Sequence, residues 1–355
     1  MVTILDFQLY VCPPTLPIRD VMSRIDRLPV RDKFQIVVND NHQVLGTVTD
    51  GDIRRGLLRG HALSDAVEVA MHVSMRLGKQ GADDANLAQL NAIESNVPFL
   101  PIVDDTGRLC EIIVPGNRHA ALHRNVHALV QAGGFGKRLG SKTRDVPKPL
   151  LPIGGRPILD YILERLERSG VSKVWLSVHY LPEKIEEFVA NRDNKTQVNI
   201  LHEEYPLGTA GSISLIPDND FLDLLVVNGD ILTQLDFDTF MNFHQDHGNE
   251  ATVAAAMHEV KIPFGVIQYA ENGSFNSIDE KPTLRHFVSA GINIFSRNLC
   301  NLVAKDEVID MPDLIHRGKS LGMSVGVFPI HEYWTDVGTP EDFAKADKAI
   351  NENDA

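Results

Sequence analysis

The chain has 355 residues, 43% of them apolar and 23% charged, which is typical of a soluble globular protein with a substantial core. At about 150 residues for each domain, its length predicts two domains. The net charge of −14 argues against non-specific binding to nucleic acid or to an anionic membrane, so an anionic ligand requires a local basic site or a metal.

The sequence carries no sign of secretion or of membrane insertion. The first residues, MVTILDFQLYVCPP, lack the basic start and the long apolar core of a secretory signal. No stretch approaches the ~18 apolar residues of a membrane span. Cys12, Cys110 and Cys300 match neither a zinc-binding nor a disulfide spacing, so we expect buried thiols in a reducing cytoplasm.

Residues 1–120 predict a small α/β domain built from a duplicated unit. Each copy has a helix followed by two strands, and the first copy ends in a second helix. The stretches are IRDVMSRIDRL, KFQIVVND, QVLGTVTD and GDIRRGLLRG in the first copy, and DDANLAQLNAIESN, FLPIVDD and LCEIIV in the second. Because one copy has too few apolar faces to bury alone, we expect two copies to form one core.

The N-terminal half resembles a tandem cystathionine-β-synthase (CBS) domain pair. Gly46, Thr49 and Asp52, within GTVTDGD, match the spacing of that family's nucleotide-contact motif. The resemblance implies that the Thr hydroxyl and the Asp carboxylate hold the ribose and phosphate of an adenine nucleotide. The alternative is a module for packing or dimerisation. CBS pairs commonly associate in twos, which predicts a homodimer in either case.

The second copy departs from this motif. Its matching positions are Glu111, Val114 and Asn117, within EIIVPGN. Because the side chain of Val114 forms no hydrogen bond, we expect the second site to be inactive and the module to bind about one nucleotide per chain.

Residues 125–355 predict a larger α/β domain. Apolar strands in NVHALVQAG, KVWLSVHY and DLLVVNGD alternate with helices in RPILDYILERLERSG and LPEKIEEFVANR. This rhythm predicts a Rossmann-like, mostly parallel sheet with helices on both faces. Ligands of such sheets bind at the carboxyl ends of the strands, and the glycine-rich segment AGGFGKRLGS begins at one of these ends.

The glycine-rich segment fits neither of the two common phosphate-binding patterns. A P-loop is excluded because Gln131 and Arg138 occupy the positions of its first Gly and of its Ser or Thr. A dinucleotide-binding fingerprint is excluded because Gly134 and Gly136 are followed by a third glycine one position late, at Gly140. A redox dehydrogenase is therefore not expected.

The combination of AGGFGKRL with PKPL resembles the sugar-1-phosphate nucleotidyltransferases. The later motifs appear in that family's order, and the resemblance covers residues 126–350. These motifs are EEYPLGTAG, VVNGD, PFGVI, DEKP, VSAGINIF and YWTDVGTPEDF. Together with an N-terminal CBS pair, the chain is similar to guanylyltransferases that act on hexosamine-1-phosphates, such as glucosamine-1-phosphate, in legionaminic-type acid pathways.

The resemblance implies an in-line displacement at phosphorus. A sugar-1-phosphate oxygen attacks the α-phosphate of a nucleoside triphosphate, and pyrophosphate leaves; such a transfer needs alignment and positive charge. Arg138 is expected to bind the β- and γ-phosphates. Lys148, between two prolines, is expected to bridge the α-phosphate and the sugar phosphate. The triphosphate is expected at the backbone of Ala132, Gly133, Gly134 and Gly136.

The same resemblance implies a divalent metal, expected to be Mg²⁺. Asp230 ends the strand LLVVNGD, and Asp336 lies in WTDVG. Carboxylates at the carboxyl ends of strands are suited to an octahedral Mg²⁺ that is also bound to phosphates.

The resemblance also implies that the residue three positions before the proline of PLGTAG, Glu203, faces the edge of the base. Guanine presents two adjacent donors, N1–H and N2–H₂, to which a carboxylate is a bidentate match. Uracil and thymine suit an amide side chain better, so Glu203 favours GTP, with Pro206, Gly208 and Thr209 completing the loop. One alternative is a uridylyl- or thymidylyltransferase. Another is that Glu203 faces the solvent and the backbone of the loop determines the base specificity.

For the sugar, Glu280 in DEKP is expected to accept from hydroxyl or amino groups and Lys281 to pair with the sugar phosphate. Gly265, Gly291 and Asn293 match further sugar contacts of the family. These residues do not separate glucosamine from N-acetylated sugars, mannose or glucose. A non-catalytic, nucleotide-sensing subunit is a further alternative, which the presence of Arg138, Lys148, Asp230 and Asp336 makes less favoured.

Overall fold

A computed structural model of the chain describes residues 2–28, 33–93, 98–115, 125–217 and 220–353. The chain divides into two compact units, Met1–Ala121 and Leu122–Ala355. Each unit has a hydrophobic core of its own. In the part of the chain that the structure describes, no helix is long and apolar enough to cross a membrane.

The N-terminal unit repeats one pattern of strand pairing. β3 lies between a parallel and an antiparallel neighbour, β2 and β4, and β6 lies in the same way between β5 and β7, with β1 added beside β7. The elements are β1 (Val2–Ile4), β2 (Val11–Cys12), α1 (Ile18–Arg27), β3 (Phe34–Val38), β4 (Val44–Thr49), α2 (Asp50–Leu58), β5 (Gly78–Lys79), α3 (Asp83–Asn91), β6 (Leu100–Val103) and β7 (Leu109–Val114).

The two repeats of this unit share one core. The buried residues Ile18, Val21 and Ile25 of α1 follow a helical spacing, so one face of the helix packs inward. Phe34 of the first repeat stacks on Phe99 of the second, with ring centroids 3.8 Å apart. The predicted dependence of each copy on the other therefore has a direct structural basis.

The C-terminal unit is built on a sheet with the strand order β12-β11-β8-β13-β18-β15-β19. Its strands are β8 (Val126–Gln131), β9 (Pro152–Ile153), β10 (Arg156–Pro157), β11 (Lys173–Val178), β12 (Gln197–His202), β13 (Asp223–Asn228), β14 (Ile231–Thr233), β15 (Ala251–Lys261), β16 (Val266–Tyr269), β17 (Phe275–Asp279), β18 (Thr283–Ser296), β19 (Val325–Ile330) and β20 (Trp334–Asp336). β18 is antiparallel to both neighbours, whereas the other pairs of this sheet are parallel, which confirms the mostly parallel sheet.

Helices cover both faces of this sheet. Along β8, Val126, Ala128 and Val130 contribute to one core and Leu129 to the other, as expected for a strand with two buried faces. α4, α5, α7 and α10 pack on the first face, and α6, α8 and α9 on the second. Their bounds are α4 (Ile158–Arg168), α5 (Pro182–Asn191), α6 (Gly208–Gly211), α7 (Phe237–Asp246), α8 (Arg297–Cys300), α9 (Met311–Ser320) and α10 (Pro340–Asn353).

An ion-pair network joins α4 to the end of α5. The guanidinium of Arg192 donates to Asp160 (2.7 Å) and Glu167 (2.5 Å), and its side chain is only 11% exposed. These hydrogen bonds lower the pKa of Glu167. Burial acts to raise the pKa of Asp160, but hydrogen bonds from Arg192 and Arg156 outweigh it and lower the pKa overall.

Replacing Arg192 with Ala is expected to destabilise the unit by about 3 kcal/mol at neutral pH, because the poorly solvated Glu167 loses its guanidinium partner and Asp160 keeps only Arg156. Both pKa values are lowered by folding, so this contribution is complete above the unfolded-state values and is lost as the pH falls through the folded-state values. Denaturant unfolding at neutral and acidic pH measures both effects.

The control for this prediction is Arg168→Ala. Arg168 is 73% exposed and pairs with Glu164 on the helix surface. Its loss is expected to cost less than about 1 kcal/mol. Equal losses of stability in the two variants would contradict the assignment of a buried network to Arg192.

Candidate active site

The glycine-rich loop leaves the carboxyl end of β8 and turns at Gly136. Ala132 is buried, and its N–H donates to the carbonyl of Ser177 (2.8 Å), so that this amide is used within the sheet. Gly136 has φ 61°, and a Cβ atom there would lie 2.7 Å from Cγ2 of Thr143, which requires glycine. A Cβ atom on Gly134 would meet nothing within 4 Å, so the loop has an open face where an anion can reach its backbone.

Lys148 is the buried cation of the site. It lies in a short 3₁₀ turn between Pro147 and Pro149, and its side chain is 9% exposed. Its Nζ forms an ion pair with Asp230 and lies 3.6 Å from Oδ1 of Asp336. The structure therefore brings three of the predicted catalytic residues together around one ammonium group.

The backbone fixes the positions of the two aspartates. β14 and β20 are antiparallel, with Ile231 opposite Asp336, and the N–H of Val337 donates to the carbonyl of Asp230 (3.0 Å). Gly229 joins the end of β13 to the end of β8, since a Cβ atom on Gly229 would lie 2.5 Å from the Gln131 carbonyl. Residues far apart in the sequence thus meet at the carboxyl edge of the sheet.

The electrostatic environment of Asp336 is mixed. Burial and repulsion from Asp230 raise its pKa, while Lys148 and Arg138 act in the opposite direction. The guanidinium of Arg138 lies close to the carboxylate of Asp336. Both approach the same point, since a Cβ atom on Gly338 would lie 3.3 Å from Nη2 of Arg138 and 3.3 Å from Oδ1 of Asp336. This Oδ1 is buried and has no hydrogen-bond partner among the described residues. Nζ of Lys148 approaches this oxygen only to 3.6 Å, so Oδ1 keeps an acceptor position that no described residue fills with a hydrogen bond.

The donor set around Lys148 fits a hard divalent cation shared with a substrate. Asp230 and Asp336 offer carboxylate oxygens, one of them buried without a partner. Over the described ranges, no group of three or more His, Cys, Asp or Glu residues is arranged to hold a metal. One or two carboxylates with phosphate oxygens and water is the environment that Mg²⁺ takes at phosphate sites.

Glu203 lies against the glycine-rich loop, with its carboxylate held by two donors. A Cβ atom on Gly133 would lie 3.4 Å from its Oε1. The hydroxyl of Ser177 donates to Oε1, and the N–H of Leu207 donates to Oε2 at 3.0 Å. Nδ1 of His179 lies 2.9 Å from the carbonyl oxygen of Glu203. The carboxylate is oriented by the protein and does not simply face the solvent.

The loop that carries Pro206 leads into the short helix α6, whose first residues Gly208 and Thr209 are fastened to the start of α9. Oδ1 of Asp310 accepts from the N–H (2.9 Å) and from the hydroxyl (3.1 Å) of Thr209, whose Oγ1 accepts from the N–H of Met311 (2.8 Å). Gly208 has φ 78°, and a Cβ atom there would lie 2.6 Å from the carbonyl oxygen of Ile309. Thr209 is therefore a scaffold residue of this loop, while Pro206 is exposed beside it.

Four residues of this region were missed by the sequence analysis: Gln131, Ser177, His179 and Asp310. Nε2 of Gln131 donates to the carbonyl of Thr209, which joins the end of β8 to the loop. Two of these positions, Gln131 and Asp310, carried usable signals in the sequence. Gln131 is the polar residue that ends an apolar strand, and Asp310 stands directly before a helix with proline in its first turn.

Two of the predicted sugar residues lie on β18, beside β13. Gly291 has φ 68°, and a Cβ atom there would lie 2.6 Å from Nδ2 of Asn228, so the two strands approach closely. Asn293 is buried opposite Val226, and its Oδ1 has no hydrogen-bond partner among the described residues. An unpaired buried amide oxygen is costly unless a ligand or water satisfies it.

The other predicted sugar residues lie where the β16–β17 ribbon joins β18. A Cβ atom on Gly265 would lie 3.0 Å from Oε2 of Glu280. Glu280 and Lys281 are both exposed, and Lys281 has φ 48°, which is unusual for a residue with a side chain. The five predicted sugar residues thus fall into two groups, one in the sheet and one at the base of the ribbon.

The family of the chain follows from a comparison with family models. The nucleotidyl transferase model matches residues 127–353, which contain the whole cluster around Lys148. The chain belongs to the nucleotidyl transferase family. A CBS domain model matches residues 4–59, that is, the first copy of the duplicated unit.

Among the relatives of this nucleotidyl transferase are mannose-1-phosphate guanylyltransferases. The catalytic subunit beta from Danio rerio is 31% identical over 229 residues, which cover 61% of this chain and 62% of the relative. The putative mannose-1-phosphate guanyltransferase from Sulfolobus acidocaldarius is 32% identical over 224 residues, 62% of each chain. The chain thus spans about 62% of the length of these relatives.

The fold of the nucleotidyl transferase unit also recurs in a solved structure. A putative glucose-1-phosphate thymidylyltransferase from Bacillus anthracis matches with a TM-score of 0.50 and 18% sequence identity, covering 63% of this chain and 94% of that chain. At this identity the likeness concerns the fold alone.

The CBS-like unit contains a cavity of about 570 Å³. Thr49 and Asp52 lie in its wall, where they also form a capping box at the start of α2, and Arg55 donates to Asp52 at 2.6 Å. Gly46 does not line the cavity. A Cβ atom there would lie 2.8 Å from Sδ of Met71, so the close packing at this position requires glycine. The lining consists of Thr47, Thr49, Asp52, Arg55, His72, Ser74, Met75, Arg76, Ala92, Ile93, Phe99 and Pro101.

Of the second copy's motif positions, Glu111 and Val114 belong to β7, and Asn117 lies outside the described residues. The cavity wall combines cationic and hydroxyl groups with apolar side chains. It is therefore suited to a ligand with both an anionic and an apolar part.

Replacing Asp310 with Ala is expected to release the Thr209 loop, because one carboxylate oxygen accepts two of its hydrogen bonds. Hydrogen bonds to a charged group are worth about 1.5–3 kcal/mol, so the amide of Thr209 is expected to exchange about tenfold to a hundredfold faster. Hydrogen exchange read by NMR measures this rate. Asp313→Ala, one turn further along α9 and exposed, is the control, and equal exchange rates in both variants would refute the role of Asp310.

Proposed function

We propose that the C-terminal unit, residues 125–355, transfers a nucleoside monophosphate from a nucleoside triphosphate to a sugar-1-phosphate and releases pyrophosphate. The observation that carries this proposal is the buried Lys148 between Asp230 and Asp336, beside an open glycine-rich loop. Membership of the nucleotidyl transferase family supports it independently. Residues 1–120 are proposed to form a regulatory or dimerisation module.

The chain's own residues supply the positive charge that an acidic protein lacks elsewhere. The amides of Gly133, Gly134 and Gly136 bind the triphosphate, and the exposed Arg138 binds the β- and γ-phosphates that leave as pyrophosphate. Lys148 is already held at the carboxyl edge of the sheet, so it needs no large movement to contact the α-phosphate. Its charge offsets the repulsion between the incoming sugar phosphate and the α-phosphate.

We propose that Asp230 and Asp336 hold a Mg²⁺ ion. When bound, Mg²⁺ neutralises phosphate charge and acts as a Lewis acid toward the α-phosphate. The raised pKa of Asp336 and its buried Oδ1, which lacks a hydrogen bond among the described residues and which Lys148 approaches only to 3.6 Å, support this assignment, since a divalent cation would stabilise the charged carboxylate. Lys148 between the two carboxylates and Arg138 beside Asp336 only balance the charge of the aspartates, so a bound Mg²⁺ would add the positive charge that the phosphates require.

We propose GTP as the nucleotide. Each carboxylate oxygen has two lone pairs, so the donors Ser177 and Leu207 orient Glu203 and leave one acceptor position on each oxygen. Two adjacent acceptors match the two donors of the guanine edge. The guanylyltransferase names of the relatives favour the same base. A uridylyl- or thymidylyltransferase is the alternative.

For the sugar, two substrates are proposed on different grounds. Glucosamine-1-phosphate follows from the resemblance to hexosamine-1-phosphate guanylyltransferases with CBS domains, and mannose-1-phosphate follows from the names of the relatives. Glu280 pairs with an amino group as readily as with hydroxyls. Glu280 therefore does not separate the two substrates, and glucosamine-1-phosphate takes first place because the resemblance that favours it also includes the CBS domains.

A matrix of four nucleoside triphosphates against glucosamine-, N-acetylglucosamine-, mannose- and glucose-1-phosphate tests this proposal through the release of pyrophosphate. The highest kcat/KM is expected for GTP with glucosamine-1-phosphate. Glu203→Gln is expected to reduce the preference for GTP over UTP, because an amide offers only one acceptor. Release of pyrophosphate in no combination would refute the catalytic assignment.

Replacing Asp230 with Asn is expected to lower kcat at least about 100-fold in Mg²⁺, because a metal ligand is worth several kcal/mol in the transition state. Thermal unfolding followed by circular dichroism is expected to remain cooperative. Asp193→Asn, at an exposed position after α5, is the control and is expected to keep wild-type turnover. Near-normal turnover of Asp230→Asn would exclude the metal assignment.

For the CBS-like cavity we propose an adenine nucleotide, bound about once per chain. Arg55, Arg76 and His72 are available to the phosphates, and Phe99 with Ile93 to the base. Calorimetry with AMP and ATP is expected to show one site, weakened at least tenfold in Arg55→Ala and unchanged in Arg59→Ala, which lies outside the lining. Absence of binding to the wild-type chain would leave the unit a packing or dimerisation module.

A further inference from the structure

The β16–β17 ribbon has one apolar face. Its register places Ile267 opposite Ile278 and Tyr269 opposite Phe275. Directly opposite residues of an antiparallel pair share a face, and so do residues two apart on one strand. Phe275 and Ile278 are three residues apart, but a β-bulge between Gln268 and Tyr269 shifts the register and places Phe275 opposite Tyr269. The four side chains Ile267, Tyr269, Phe275 and Ile278 therefore form one strip, which we call the ribbon strip.

The ribbon strip is open to solvent. Ile267, Tyr269, Phe275 and Ile278 are 56%, 71%, 65% and 53% exposed. Phe264, just before β16, is 73% exposed and extends the apolar surface toward the base of the ribbon. A two-stranded ribbon of this kind is only marginally stable in water when nothing covers its apolar face.

The opposite face of the ribbon is polar. Gln268 lies opposite Ser277, and Nε2 of Gln268 donates to Asp279 at 3.3 Å. Apart from Val266, which lies opposite Asp279, this face carries polar side chains, and such a difference between two faces is typical of a sheet with one covered and one solvated face. The contrast between the two faces indicates that the ribbon strip is a contact surface.

The size of the strip is sufficient for a symmetric dimer contact. A whole aromatic side chain has about 150–250 Å² of surface. At the exposed fractions given above, Phe264 and the four side chains of the strip together expose roughly 600 Å² per copy. Two copies would bury about 1,200 Å² in total, which is the lower limit of a stable interface. The exposed apolar area of the strip with Phe264 is therefore at the upper limit for the largest apolar patch of an ordinary monomer, which is about 300–600 Å².

Charge favours a second copy as the occupant. A chain with a net charge of −14 repels its own copies except where the facing surface is uncharged. The four side chains of the strip carry no charge, and the acidic residues of the ribbon lie elsewhere, Glu271 at the turn and Asp279 on the polar face. Two-fold symmetry would pack the strip on itself.

We propose that the chain forms a homodimer in which the ribbon strip packs face to face on the ribbon strip of a second copy. This contact lies entirely within the C-terminal unit and is independent of any association through the CBS-like unit. In this dimer, each copy covers the exposed apolar face of the other copy's ribbon.

Sedimentation velocity of the full chain over a wide concentration range tests the proposal with two matched pairs of variants. Tyr269→Glu and Gln268→Glu place the same charge on adjacent residues of opposite faces, and Ile278→Glu and Ser277→Glu do so on the other strand. All four positions are exposed, and circular dichroism checks that each variant folds.

The two strip variants are expected to weaken self-association at least tenfold, because each substitution occurs twice in a symmetric interface. The two polar-face variants are expected to associate like the wild type. Two results would overturn the proposal: a wild-type chain that stays monomeric throughout, or strip variants that associate as tightly as their controls, which would assign association to another surface.

Discussion

The ammonium group of Lys148 lies between the carboxylates of Asp230 and Asp336, and the surrounding structure is arranged to keep it there. A buried lysine is stable only beside opposite charge, and two buried carboxylates are stable only beside a cation. The β14–β20 ladder, the close approach at Gly229 and the proline-flanked turn each fix one member of this cluster. With a net charge of −14 on the whole chain, anion binding must depend on this local arrangement.

The segments that are proposed to bind the nucleotide are held by a second set of contacts at the same edge of the sheet. Asp310 and Gln131 fasten Thr209, while Ser177 and Leu207 orient Glu203. A specificity residue whose rotamer is fixed by its neighbours loses little conformational entropy when it binds a base. If Glu203 binds the base as proposed, discrimination depends on the lone pairs that remain on its carboxylate, so the donors Ser177 and Leu207 contribute to the proposed specificity.

Much of the fold could be read from the sequence, because the strands are apolar runs separated by glycine and proline. The strand before the glycine-rich loop and the position of Asp230 at a strand end were predicted on local grounds, and the mostly parallel sheet is confirmed.

The contacts of Thr209 with Asp310 and of Glu203 with Ser177 were not predictable, since they join segments that local pattern does not relate. The alternating residues of the β16–β17 ribbon predict a strand face, but its exposure depends on how far the ribbon extends from the core. The site assignments themselves stay predictions until activity is measured.

The central claim is that Asp230 and Asp336 together hold the metal ion that accompanies the nucleotide. Mn²⁺ binding in the presence of GTP, followed by electron paramagnetic resonance, tests this claim directly, with Mn²⁺ in place of Mg²⁺. The wild-type chain is predicted to bind one Mn²⁺ more tightly than GTP alone does, and Asp230→Asn and Asp336→Asn are each predicted to lose most of that gain. Equal Mn²⁺ affinity in the wild type and in both variants would contradict the account.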